Sequence, residues 1–169
     1  VVELLEVAKS AVLIAHEPDT VLRGMRSTFV ILLVDPIAMR AVWGHVGDSR
    51  LYHFRDGMLV ARTRDHSVYQ AMVDAGFGGH QEQRYLPNRN ALLYSLGSGE
   101  SFVPEVTNGP IHLKAGDAFF LCSDGFWDGL EVEALAGAQR ESSSTSDWLQ
   151  RSESALLGSP AGQRDNYSA

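Results

Sequence analysis

Four aspartates stand where chemistry is possible: Asp48 in Gly47-Asp48-Ser49-Arg50, Asp124 in Ser123-Asp124-Gly125, Asp128 four residues further on, and Asp165 in Arg164-Asp165-Asn166. Asp48, Asp124 and Asp165 each lie beside small or polar residues at the end of a strand-like run, so three carboxylates can gather at one end of a β structure. Gathering them without a cation costs like-charge repulsion and desolvation, so convergence implies a metal. Carboxylate oxygens on a rigid apolar scaffold suit hard cations such as Mg2+ or Mn2+. Spacing alone does not bring them together. Asp-Gly is among the commonest turn pairs, and Asp48 taken singly reads as a turn residue with Arg50 as its ion-pair partner.

The elements that must position these residues follow from periodicity. Ala118-Phe119-Phe120-Leu121-Cys122 is an apolar run without alternation, which predicts a strand buried on both faces that opens into a turn at Ser123-Asp124-Gly125. Leu4, Leu5, Ala8, Ala11, Val12 and Ala15 share one face of a helix from Val1 to about Glu17. Residues 27–34 are β-branched and apolar and predict a buried strand closed by Asp35-Pro36. Strands follow over 40–46, 51–54 and 58–63, the last two joined by Asp56-Gly57, a pair suited to the positive φ angles of a two-residue hairpin. Four strands with short turns predict antiparallel sheet and not a βαβ array.

Further along, 67–75 predicts a short helix capped by Ser67 or Asp65, and 76–90 a loop. Strands are expected over 91–96, 102–106 and 111–114. Helices are expected from Glu131 and over 147–157, with a serine-rich loop over 140–146 between them.

Composition narrows the function. The 169 residues are 44% hydrophobic, enough for a real core, and fit one domain. A formal net charge of -7 disfavours a general binder of nucleic-acid backbones. Cys122 is the only cysteine, which leaves neither an intrachain disulfide nor a cysteine-based zinc site. No apolar run approaches the length of a transmembrane helix. A soluble, cytoplasmic setting without a membrane segment is the expectation.

Several segments, in order, resemble the signatures of the metal-dependent protein phosphatases, the type 2C serine/threonine family. They are Gly24-Met25-Arg26-Ser27-Thr28, then Gly44-His45-Val46-Gly47-Asp48-Ser49-Arg50-Leu51-Tyr52, Arg55-Asp56-Gly57 and Thr63-Arg64-Asp65-His66-Ser67. Asn88-Arg89-Asn90-Ala91-Leu92 with Ser95-Leu96-Gly97, Ser123-Asp124-Gly125-Phe126-Trp127-Asp128 and Asp165-Asn166 continue the series. Each is weak singly; together they cover nearly the whole chain in family order. The resemblance implies an α+β fold, a four-layer sandwich of two antiparallel sheets flanked by helices. It also implies a centre of two Mn2+ or Mg2+ ions with a third, weaker one. Asp124 and Asp165 would ligate one metal directly, Asp128 would act through water, and Asp48 would help Asp124 hold the third ion. The partner would be a phosphorylated protein, with a serine/threonine kinase opposing, and the chemistry would be hydrolysis of phosphoserine or phosphothreonine by a metal-activated water. Arg64-Asp65-His66-Ser67 is given a structural role.

The departures from the family carry their own expectations. The family begins with an N-terminal strand pair bearing a phosphate-binding Arg and an Asp, followed by an Asp-Gly-x-Gly-Gly-His stretch with the metal-bridging Asp and general-acid His, and nothing before the helix at Val1 corresponds to them. The family also runs on into a closing strand beyond Asp165-Asn166. The expectation is a single domain, residues 1–169, of bacterial type and incomplete at both ends, lacking about a quarter of a catalytic domain. Such a chain would show little phosphatase activity by itself and would leave apolar surface on an inner strand such as 27–34 or 118–122. Asp74-Ala75-Gly76-Phe77-Gly78-Gly79-His80 imitates the missing first metal motif with one residue too many, and is set aside as a decoy lying away from the centre. Two other readings stand beside the enzyme: a catalytically inactive phosphatase-like module used for binding or regulation, and an unrelated β-sandwich binding domain.

Overall fold

The helical stripe read from Leu5, Ala8 and Val12 forms helix α1 (Val2–His16), which buries Leu5 completely. Ala8 and Val12, together with Phe29, pack against Val46 and Leu96. This helix belongs to the first of two units in the computed structural model, which describes residues 1–16, 22–77, 91–98, 104–159 and 165–169. The first unit comprises Val1–Ser49 with Arg64–His112, and the second Arg50–Thr63 with Leu113–Ala169. Each carries its own antiparallel sheet and its own helices, so the fold is α+β.

In the first unit β1 (Phe29–Asp35) and β2 (Arg40–Val46) form a hairpin in register from Phe29 opposite Val46 to Asp35 opposite Arg40. Asp35 makes the turn by accepting the N–H groups of Ile37 at 3.0 Å and Ala38 at 2.9 Å. The far side of β2 pairs with β5 (Glu105–Val106) and β6 (Ile111–His112). Gly44 lets α1 lie close on β2: a Cβ there would sit 2.6 Å from Val1 Cγ1. Strand β1 departs from expectation, because none of its residues is buried and Leu33 and Val34 are exposed. Among the described residues it is an edge strand, paired only with β2. The strand is thus not the buried one that its composition predicts, and its exposed Leu33 and Val34 are the apolar surface expected on residues 27–34 of an incomplete domain.

Helix α2 (Val68–Asp74) starts at Ser67, whose hydroxyl accepts the Gln70 N–H at 3.1 Å, as the capping residue predicts. The segment 91–96 is not the strand expected. It makes isolated bridges, Leu92 with Ser67 and Leu96 with Ser27. The segment divides its backbone bonds between two neighbours instead of running along one, so no ladder forms.

In the second unit β3 (Arg50–Arg55) lies between β4 (Met58–Arg62) and β7 (Asp117–Cys122). Asp56 and Gly57 have φ of 51° and 73°, the two-residue hairpin the sequence predicts. Among the described residues strand β7 sits at the edge of this sheet. Phe120 and Cys122 enter the core, whereas Phe119 on the opposite face is only half-buried and stacks on His53 at 4.7 Å between ring centroids. Burial on both faces is therefore not observed. Helices α4 (Val132–Glu141) and α5 (Thr145–Gly158) complete the core with Leu135, Ala136, Trp148 and Leu156, and the Trp148 indole donates to the Leu135 carbonyl at 3.0 Å.

Candidate metal centre

Where β7 ends, Asp124-Gly125-Phe126-Trp127 winds into one helical turn, α3 (Asp124–Trp127), instead of the open turn expected. The reason is packing: Phe126 and Trp127 are both buried and peg the turn into the core of the second unit. Arg50 lies with its guanidinium carbon 3.4 Å from the Trp127 ring centroid and donates to the Tyr52 hydroxyl at 3.2 Å. Burial pushes the Tyr52 phenol up, with Arg50 working against it. Asp124 occupies the first position of α3, and Asp128 closes the turn by donating its N–H to the Asp124 carbonyl at 2.9 Å.

The second loop arrives from the end of the chain. Ser123 N–H donates to the Ser168 carbonyl, and Ser168 N–H donates to Ser123 Oγ, each at 3.0 Å. Gly125 is in such close contact with this segment that a Cβ would lie 2.4 Å from the Asn166 carbonyl oxygen and 3.2 Å from that of Asp165. The loops of Asp124 and Asp165 are thus clasped together. Asp124 accepts the Gly125 N–H at 2.9 Å, and Asp165 accepts the Asn166 N–H at 2.8 Å. Among the described residues neither carboxylate pairs with a Lys, Arg or His. Carboxylate oxygens on two such loops are of the type that a hard divalent cation takes, but among the described residues the one group of three whose potential ligand atoms converge within 4.8 Å is a different one.

Asp48 belongs to the first unit. It is buried, in a turn where Gly47 has φ +97° and packs against Thr28, and where the Ser49 and Thr28 hydroxyls hydrogen-bond at 2.8 Å. Asp74 ends α2, ion-paired with Arg64 and accepting the Gln70 amide at 2.8 Å. His80 lies outside the described residues.

The sequence gives no warning of a third group. His45, His66 and Glu105 bring potential ligand atoms within 4.8 Å of one another. His45 and Glu105 are register partners on β2 and β5, and His66 stacks on His45 at 4.6 Å between ring centroids. Burial pushes the His45 imidazole down, against the pull of the Arg64 carbonyl. His66 holds the Glu105 carboxyl low, with partial burial opposing. The register of two short strands makes this group, and periodicity cannot reveal it.

No protein-family model matches the chain. Among curated proteins it is 35% identical over 122 residues to the serine/threonine protein phosphatase PstP of Mycobacterium tuberculosis, covering 72% of this chain and 22% of PstP. It is 30% identical over 129 residues to the protein phosphatase PhpP of Streptococcus pneumoniae, covering 76% of this chain and 49% of PhpP. The chain therefore spans at most about half the length of these relatives. The crystal structure of the Mycobacterium tuberculosis phosphatase PstP/Ppp superposes with a TM-score of 0.77 at 30% identity, over 88% of this chain and 61% of that one. A structure of the PstP catalytic domain in complex with two manganese ions gives 0.73 at 30% identity, over 89% and 61%.

Proposed function

The chain is a relative of the metal-dependent, type 2C serine/threonine phosphatases, and from that premise we propose that its protein hydrolyses phosphoserine and phosphothreonine in phosphorylated proteins. The observation that carries the proposal is the clasp that holds the Asp124 and Asp165 loops against each other, with neither carboxylate paired to a cationic side chain among the described residues. In this reading Asp124 and Asp165 hold a Mn2+ or Mg2+ ion directly, Asp128 supports it through water, and Asp48 contributes to a further, weaker ion. Such cations, when bound, acidify a water and screen the phosphate charge. The chain's own contribution is to fix the carboxylates: Phe126 and Trp127 hold α3 down, and Ser123 holds the Asp165 loop against it. No phosphoenzyme is required.

A kinase that phosphorylates the same targets would be the opposing partner, which makes this a signalling enzyme. Cys122 is the single cysteine of the chain and is buried, in keeping with the reducing, cytoplasmic setting proposed here. The test is hydrolysis of a phosphothreonine peptide with Mn2+ or Mg2+ by the whole protein that carries this chain, the chain by itself being expected to show little turnover. Metal-dependent turnover that falls to background in Asp124→Asn is expected. Turnover that survives Asp124→Asn, or that needs no divalent ion, would reject the reading.

A further inference from the structure

We propose that His66 is the positioning residue for Asp48, acting as a proton-defined latch on the Gly47 turn; the inference rests on the reading of Asp48 as a cation-holding carboxylate. Gly47 and His66 exchange hydrogen bonds. The His66 N–H donates to the Gly47 carbonyl at 2.9 Å, and the Gly47 N–H donates to His66 Nδ1 at 3.3 Å. An Nδ1 that accepts is bare, so the neutral ring carries its one proton on Nε2. That nitrogen faces the Glu105 carboxylate 3.8 Å away, which favours a proton there. His45 stacks on one face of the ring, with its own Nε2 donating to the Arg64 carbonyl at 2.7 Å, and Tyr94 meets the ring edge-on at 5.6 Å. Glu105 sets the tautomer, the tautomer presents a bare Nδ1, and Nδ1 holds the amide immediately before Asp48.

The same proton placement argues against a metal in the His45, His66 and Glu105 trio. With Nδ1 accepting from Gly47 and Nε2 protonated, His66 has no lone pair left to offer a cation.

Two substitutions separate latching from packing. His66→Asn places an amide oxygen close to where Nδ1 sits and keeps an acceptor, whereas His66→Phe keeps a ring against His45 and Tyr94 and removes the acceptor. Hydrogen exchange of the Gly47 amide and Mn2+ titration are read on the full chain. In His66→Phe the Gly47 amide should exchange about tenfold faster and Mn2+ should bind about tenfold more weakly, the size of one lost hydrogen bond. His66→Asn should stay within about twofold of wild type in both. The reverse order, with Phe tolerated and Asn damaging, would mean that His66 only packs and would overturn the proposal.

Glu105→Ala alters a more exposed residue and supplies a variant that leaves the ring in place. Long-range nitrogen–proton NMR of His66 should show the Nε2–H tautomer in wild type and a rising share of Nδ1–H in Glu105→Ala, while Glu105→Gln, which keeps an acceptor oxygen, preserves the wild-type pattern. An Nδ1–H tautomer in wild type, or Zn2+ binding that shifts Nε2, would also overturn the latch. Asp48→Asn isolates the premise: if Gly47 exchange responds as expected but Asp48→Asn leaves Mn2+ affinity unchanged, the cation role of Asp48 is what fails.

Discussion

Two aspartates bracket strand β7, Asp117 at its start and Asp124 two residues beyond its end, and the two live in opposite chemical worlds. At its start, Asp117 accepts His53 Nε2 at 2.9 Å and Arg55 Nε at 2.7 Å on one oxygen, and Arg55 Nη2 at 3.1 Å and the Lys114 N–H at 2.7 Å on the other. Its side chain is 3% exposed. Burial works to raise its carboxyl, but Arg55, the Lys114 N–H and His53 prevail and hold it well below the usual carboxylate range. Just past the other end, Asp124 accepts only the next residue's N–H among the described residues. The lesson concerns where charge is settled. Asp117 is neutralised within the protein and serves the sheet; Asp124 meets no cationic side chain among the described residues and, in the function proposed above, answers to an outside cation.

The largest effect should come from destroying the settled end. Asp117→Ala leaves a buried His without its hydrogen-bond acceptor and a guanidinium without its counter-charge, and should cost about 3 kcal/mol in urea unfolding. The acid limb of the stability profile sharpens the point. The Asp117 carboxyl is depressed in the folded state, so its stabilisation is fully present above the unfolded carboxylate's pKa of about 3.9 and drains away as pH falls below it. Asp117→Asn should flatten that limb; an unchanged limb would show that other carboxylates dominate it.

Next in size is the ligand effect at the other end. Mn2+ at a hundred times its dissociation constant should raise unfolding stability by about 2.7 kcal/mol. That increment should vanish in Asp124→Ala and survive in Asp117→Asn. An increment lost in both would erase the contrast. Gly125→Ala comes third: its methyl meets the Asn166 carbonyl, which is backbone and cannot step aside, so about 2 kcal/mol of stability should be lost together with much of the Mn2+ affinity. Smallest of all, Asp124→Ala without metal should unfold within about 0.5 kcal/mol of wild type. A larger loss would mean that Asp124 is structural after all.

What could be read from sequence divides along similar lines. The α1 stripe, the Asp56-Gly57 hairpin and the Ser67 cap are decided by a few adjacent residues, and each forms as its local chemistry dictates. The bridges at Leu92 and Leu96, the edge position of β7 and the half-exposed β1 depend on which strand lies alongside, and no periodicity records that. For the site, the types and turn contexts of Asp124 and Asp165 were legible. Their adjacency was not, because it depends on a pairing between Ser123 and Ser168 across 45 residues. Single-turn helix α3 was hidden by Asp-Gly, a pair that usually means a turn. Phe126 and Trp127, buried beneath it, decide otherwise.

The Arg55–Asp117 bridge joins residues 62 apart in the chain, whereas β3 and β4 meet across two. In kinetic terms the hairpin can close early and cheaply, and β7 must wait for a long loop to be drawn shut. A bridge completed late is mostly absent from the folding transition state. Removing it should therefore hasten unfolding and leave the folding rate nearly untouched, a division that the two arms of a denaturant chevron would reveal. The bridge then governs how long a folded molecule lasts more than how quickly one is made.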